Sequence, residues 1–216
     1  MDDRDIKAWS YEKRALPLMD KLKKKGFIPQ YVSTTEAGKN AVLSLIPEGA
    51  TVALTGSQTL EQVGVKPYLR GSGRYQLIDP YEPGIDQAEG LARRKRGLSA
   101  EVMVSSTNAI TRAGELVNVD GMGNRVAGMI FGPDKVILAL GMNKLVEDLQ
   151  EARHRLRQIA GPMNNKRLGL ANPCTETGSC ADCSSPSRIC NYYTVIERSF
   201  IPDRMYIILI GQDLGY

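Results

Sequence analysis

Histidine, tryptophan and long apolar runs are scarce in this chain, which carries one His and one Trp among 216 residues. His154 stands alone in the charged segment Glu151-Ala152-Arg153-His154-Arg155, where it reads as a surface residue. A serine–histidine or cysteine–histidine mechanism therefore has little support, and acid–base work would fall to carboxylates. The longest apolar runs, residues 136–140 and 206–210, are far too short to cross a bilayer as a helix, so no membrane span is expected. The acidic start Met1-Asp2-Asp3-Arg4-Asp5 lacks the apolar core of a secretory signal, and a cytoplasmic location is expected. A dominant charge is also missing. Twenty-eight basic against twenty-four acidic residues leave +4, which suits small anionic partners and gives no nucleic-acid footprint. Neither a P-loop nor a Gly-x-Gly-x-x-Gly turn opening a helix after a strand occurs. Finally, the first 173 residues contain no cysteine.

What is present has the balance of a soluble domain, 42% hydrophobic and 24% charged. One domain over residues 1–216 is expected, with a helical part (1–50), an α/β core (51–160), and a cysteine loop with closing strands (161–216). Ile6, Trp9, Leu16, Met19 and Leu22 recur at helical spacing, and Pro17 is expected to kink or divide that helix. The basic runs Lys23-Lys24-Lys25 and Arg93-Arg94-Lys95-Arg96 read as helix ends. Strands are expected near 51–54, 75–78, 101–105, 135–140, 193–198 and 205–210. Helices are expected near 33–46, 85–96 and 145–159. Asp120-Gly121 marks a turn between two apolar-containing segments.

Two strand–glycine–helix junctions stand out, at residues 55–64 and at Gly141-Met142-Asn143-Lys144. The alternation predicts an α/β fold with a mostly parallel sheet and a site at the carboxyl ends of its strands. At the first junction, free backbone N–H groups and the Ser57 and Thr59 hydroxyls could receive an anion, and a plainly capped helix is the competing reading. Glu61, Glu115 and Asp120 are the candidate acid–base carboxylates, because each sits in a polar, glycine-containing segment.

The four cysteines follow Cys174-x5-Cys180-x2-Cys183-x6-Cys190, in a stretch rich in Ser, Thr, Gly and Pro. Such clustering without an export signal favours a metal over disulfides or free thiols. Four thiolates on one loop can wrap one zinc ion or a [4Fe–4S] cluster, and the uneven spacing, with a single close pair, leans toward iron–sulfur.

Residues 56–64 resemble the first signature of the LUD-domain family, the lactate-utilisation proteins. Residues 108–110, 114–118 and 120–127 resemble the second, and residues 132–137 and 141–146 the third. The resemblance implies a superfold similar to CoA transferases, ribose-phosphate isomerases and glucosamine-phosphate deaminases. In it, Gly56, Ser57 and Thr59 match an anion-binding loop and Asn108 opens the second signature. Gly121, Gly123, Asn124, Gly141, Asn143 and Lys144 would face the same crevice, with Lys144 as counter-charge to a phosphate or carboxylate. The resemblance further implies a role in oxidising L-lactate to pyruvate, as a subunit or accessory factor beside separate iron–sulfur oxidoreductase subunits. Cysteines near the carboxyl terminus match a subset of the family.

Without a flavin or nicotinamide fingerprint, the chain is not expected to oxidise lactate alone. Two alternatives remain: a stand-alone transferase or isomerase acting on a CoA thioester or sugar phosphate, with Glu61 or Glu115 as nucleophile or base, and a binding module with structural zinc. A homo-oligomer is compatible with either.

Overall fold

The structure, a computed structural model, describes residues 3–216; Met1 and Asp2 of the acidic amino terminus lie outside them. Two apolar runs make its centre. Strands β7 (Lys135–Gly141) and β10 (Met205–Ile210) lie parallel, with Ile207 opposite Leu138 and Leu209 opposite Leu140. Flanking them are β1 (Ile28–Val32) on one side and β4 (Val102–Ser105), β2 (Thr51–Leu54) and β3 (Gln76–Ile78) on the other. The sheet order is β1-β10-β7-β4-β2-β3, and every pairing is parallel. Strands from both ends of the chain thus pair within one sheet.

Strands apolar on both faces need cover on both. Their period of two supplies two cores. Leu138, Leu140, Ile207 and Leu209 face helix α1 (Asp3–Lys24), through its Tyr11, Ala15, Leu18 and Leu22. Ile137, Ala139, Ile208 and Ile210 form a second core with Val42 of α2 (Thr35–Ser44), Leu60 of α3 (Gln58–Gln62) and Leu69 of α4 (Val65–Gly71). Each fully buried Leu or Ile contributes about 1.5–3 kcal/mol.

The structure corrects the reading of α1 in two ways. The helix is continuous through Pro17 rather than divided there, and the exposed position leaves the lost backbone hydrogen bond to water. The face it buries is Tyr11-Ala15-Leu18-Leu22, and Ile6, Trp9 and Leu16 remain exposed. Thr34 caps α2 by accepting from the Ala37 N–H (3.2 Å), and Asp86 caps α5 (Gln87–Arg96) by accepting from Glu89 (2.8 Å).

A smaller sheet, not foreseen from sequence, packs beside the first in the order β8-β5-β6-β9. β5 (Ala109–Thr111) and β6 (Leu116–Asp120) form a hairpin, β8 (Leu145–Val146) joins β5 in parallel, and β9 (Tyr192–Ile196) joins β6 antiparallel. The expected turn at Asp120-Gly121 leads from β6 into helix α6 (Asn124–Ile130), with Gly123 at φ +85 as its left-handed N-cap. Arg204, nearly buried, closes the far end of α6. Its guanidinium donates to the carbonyls of Gly128 (2.9 Å), Met129 (2.7 Å) and Pro133 (3.0 Å).

The helix expected at 145–159 starts later, at α7 (Leu149–Arg155) with Asp148 as cap. It runs through a π-helical turn, Leu156–Ala160, directly into α8 (Gly161–Arg167). Lys144 therefore sits in a 3₁₀ turn between two strands rather than at a helix start. The cysteine stretch that follows is irregular apart from the single turn α9 (Cys174–Thr177).

Candidate functional site

In going from β2 to β3 the chain moves toward the sheet edge, and on reaching β4 it has crossed back over β2. Crevices of parallel sheets form at the carboxyl ends of strands near such reversals. A cleft of about 270 Å³ opens there. Residues 56–59 after β2, residues 106–108 after β4, Lys144 after β7 and the carboxyl-terminal Tyr216 all line it. The second sheet and its connections contribute Asp120, Gly121, Asn124 and Arg125, and α8 contributes Gly161, Asn164 and Arg167.

Lys144 is the centre of the site, with only 3% of its surface exposed. Its Nζ donates to Thr59 Oγ1 (3.0 Å), Ser106 Oγ (3.0 Å) and the Thr107 carbonyl (3.1 Å). All three acceptors are uncharged. Burial, reinforced by the nearby Arg155 and Arg125, pushes its ammonium down to about 7. The two arginines are also held mainly by neutral oxygens. Arg125 donates to Ser106 O (3.0 Å), Asn118 Oδ1 (2.7 Å), Asn108 Oδ1 (2.9 Å) and Val119 O (2.8 Å). Arg155 donates to the Asn108 carbonyl (3.0 Å). Burial lowers the pKa of both.

Asp120 is the carboxylate in the wall of the cleft. It lies 3.7 Å from Arg125 Nε and accepts from the backbone N–H groups of Gly123 and Val126 (3.3 and 3.2 Å). Arg94 and Arg167 add further positive charge to the wall. Arg94 stacks on Tyr81, 5.0 Å from the ring centre, and Tyr81 in turn fills the space over Gly56. Cations outnumber acids around this volume, and among the described residues the most deeply buried of these cations, Lys144, has no acidic partner.

Of the residues expected to bind a ligand, Gly56, Ser57, Thr59, Asn108, Gly121, Asn124 and Lys144 line the cleft. Gly123, Gly141 and Asn143 stand behind its wall. Asn143 binds the carboxyl-terminal segment through the Leu214 N–H (3.0 Å) and the Gly215 carbonyl (3.3 Å), and Gly141 leaves room for that segment to pass. The two expected catalytic carboxylates are not brought to the cleft. Glu61 pairs with buried Lys66 (2.5 Å) and with Arg70 (3.6 Å). Glu115 sits in the β5–β6 turn, accepting from the Thr111 hydroxyl (2.6 Å).

Sequence reasoning passed over Arg125, Ser106, Thr107, Arg94 and Tyr216. Arg125 lay inside a quoted signature, and its position two residues beyond Gly123 was the available clue. Arg94 was hidden in a basic helix end. Its neighbours Arg93 and Arg96 do behave as such an end, both pairing with Glu89 (2.7 and 2.9 Å). His154 is exposed on α7.

The cysteine loop forms a second feature. All four thiols are free and half-buried. Together with Arg157, Asp182 and Arg188 they line one small cavity. Between Cys180 and Cys183 the chain turns sharply, with Asp182 at φ +47 and its N–H 3.4 Å from Cys180 Sγ. Asp182 bridges Arg157 (2.9 Å) and Arg188 (3.1 Å), and hydrogen bonding to Arg157 holds its carboxyl below the usual range. Burial raises the thiols of Cys174 and Cys190, and neighbouring thiols add to the effect. Among the described residues no three His, Cys, Asp or Glu side chains stand close enough to share one metal ion. No helix among them is long and apolar enough to cross a membrane.

A family profile described as the LUD domain matches residues 17–210. No curated protein matches the chain. A solved structure of a DUF162 family protein from Deinococcus radiodurans has a similar fold. Its TM-score is 0.53 and its identity 15%, and the match covers 93% of this chain and 98% of that one. At that identity the likeness concerns the fold.

Proposed function

Because the chain belongs to the LUD-domain family, which is associated with lactate utilisation, we propose that it binds a small carboxylate or phosphate anion in the Lys144 cleft. In this reading it serves L-lactate or related hydroxy-acid metabolism as a subunit or accessory factor beside separate oxidoreductase subunits. One observation carries the reading: a buried amine hydrogen-bonded, among the described residues, to neutral oxygens alone, with Arg125 and Arg155 close by. An oxyanion entering the cleft would supply the missing negative charge and favour the protonated amine. The chain's own residues would then bind and orient. Lys144 would meet the anion's charge, Ser57 and Asn124 would offer hydrogen bonds at the mouth, and Arg94 and Arg167 would steer anions inward. A transferase using a carboxylate nucleophile would have to recruit Asp120, which is already engaged by Arg125 and two backbone N–H groups.

The test is calorimetric titration with L-lactate, pyruvate and inorganic phosphate at pH 6.5. Wild-type protein should bind at least one of them, and Lys144→Met should weaken that binding roughly 10- to 100-fold, the worth of a charge-assisted hydrogen bond. Absence of binding by all three would overturn the reading.

A further inference from the structure

The anion reading leaves the four thiols without a role, and three observations bear on them. First, Cys174, Cys180, Cys183 and Cys190 come from 17 residues of chain, yet all four line the same small cavity. In this loop the Asp182 N–H meets a thiol, Cys180 Sγ at 3.4 Å, and a serine oxygen could accept in its place, so the turn does not itself call for cysteine.

Second, the cysteines are spaced along the chain as Cys174-x5-Cys180-x2-Cys183-x6-Cys190, with one close pair where a zinc ribbon has two. Zinc binds four sulfurs at about 2.3 Å, which draws them into mutual contact. A four-iron cluster presents its irons at the corners of a larger body, so its ligands surround a volume rather than a point. A cavity ringed by four thiols matches that need.

Third, the surroundings suit a negatively charged group. Arg157 and Arg188 stand beside the thiols, and their positions are fixed by the shared Asp182 carboxylate. Arg188 also donates to the carbonyls of Cys183 and Cys190 (3.1 Å to the latter), which pins both ends of the loop segment bearing them. Gly161, at the end of the π-helical turn, leaves the Cys190 thiol its space: a Cβ there would lie 3.3 Å from Sγ. π-Helical turns recur at functional sites because they redirect the residues that follow them.

We propose that Cys174, Cys180, Cys183 and Cys190 hold one [4Fe–4S] cluster in the cavity they line beside α8. Loading a preassembled [4Fe–4S] core would replace four S–H bonds with four S–Fe bonds and release four protons, with no net change in oxidation state. Cys190 and Gly161 belong to the walls of both this cavity and the anion cleft, so the cluster would border the cleft. The cluster assignment stands independently of the anion reading, because it rests on the cysteine loop and not on Lys144.

The experiment is to purify the full chain without oxygen and measure iron, zinc and acid-labile sulfide per chain, with the visible absorption spectrum. About four irons and four sulfides per chain are expected. Cys183→Ser should lose most of the iron while keeping the wild-type far-UV circular dichroism, because Cys183 lies in an irregular, half-exposed segment. A Ser179→Ala control, in the same loop but bearing no thiol, should load iron normally. One zinc without sulfide, or neither metal, on the wild-type chain would overturn the proposal. So would a full iron content in Cys183→Ala and Cys180→Ala together.

Discussion

Lys144 Nζ and Thr59 Oγ1 meet at 3.0 Å, linking residues 85 positions apart in sequence. Thr59 belongs to the short helix after β2 and Lys144 to the turn after β7, and β4 lies between those strands in the sheet. Ser106, from the end of β4, completes the link by accepting from the same amine (3.0 Å) and approaching Thr59 Oγ1 at 3.4 Å. One lysine thus ties together the exits of three parallel strands, at the point where a ligand would meet them.

The pH dependence of stability should carry the mark of this lysine. Its folded-state value is lowered to about 7 from 10.5, so between these values the unfolded chain holds the extra proton. Stability therefore rises with pH through this window, by up to about 1.4 kcal/mol per pH unit for one proton. Urea unfolding of wild type at several pH values from 6.5 to 9.5, set against Lys144→Met, should show the rise in wild type alone. Anion affinity should move oppositely, falling as the amine loses its proton above pH 7.

The two carboxylates once expected to be catalytic should separate by phenotype. Glu61→Gln leaves buried Lys66 without its full counter-charge and should cost about 2–4 kcal/mol in urea unfolding. Glu115→Gln, half-buried in the β5–β6 turn but keeping an oxygen to accept from Thr111, should change stability by less than about 1 kcal/mol. Neither lines the cleft, so phosphate affinity measured on folded protein should be unaffected by Glu115→Gln. A large loss would return that carboxylate to the site.

Arg204 offers a purely structural test at the opposite end of the sheet. Replacing it with Met keeps the side-chain volume but strips the carbonyls of Gly128, Met129 and Pro133 of their donor. A loss of about 2–4 kcal/mol is expected, read as a lower urea midpoint at unchanged slope. Anion binding, on the other end of the strands, should survive.

Pro17 should be a point of easy stabilisation. It sits exposed in the interior of an unbroken 22-residue helix. Pro17→Ala restores a backbone donor and the helix's preferred residue, and should gain about 1–3 kcal/mol of unfolding free energy. Differential scanning calorimetry would show the gain as a higher Tm. An unchanged or lower Tm would mean that the ring packs against a neighbour more usefully than its exposure suggests.

The sequence by itself determined five of the six strands of the main sheet and their parallel class; β1, at one edge, was not foreseen. Runs such as residues 136–140 and 206–210 are apolar on both faces and suit only a sheet covered twice. Local chemistry also determined the caps at Thr34 and Asp86, because a side-chain oxygen reaches only its own helix's first turn. The gathering of thiols was equally local, since all four lie within one short loop. What a segment does depends on its neighbours, however, and there sequence reasoning stopped. α1 carries apolar residues on two faces, and only the sheet decided which was buried. Residues 145–148 have both strand-like and helical character, and pairing of Leu145 with Ile110 made the first two a strand. Arg94, Arg125 and Arg155 look like ordinary surface cations along the chain. Folding placed Arg94 and Arg125 in the wall of one cleft and Arg155 close to Lys144, whose pKa falls to about 7 because burial, Arg155 and Arg125 oppose its charge. Charge–charge proximity and desolvation belong to three-dimensional separation, which spacing along the chain does not encode.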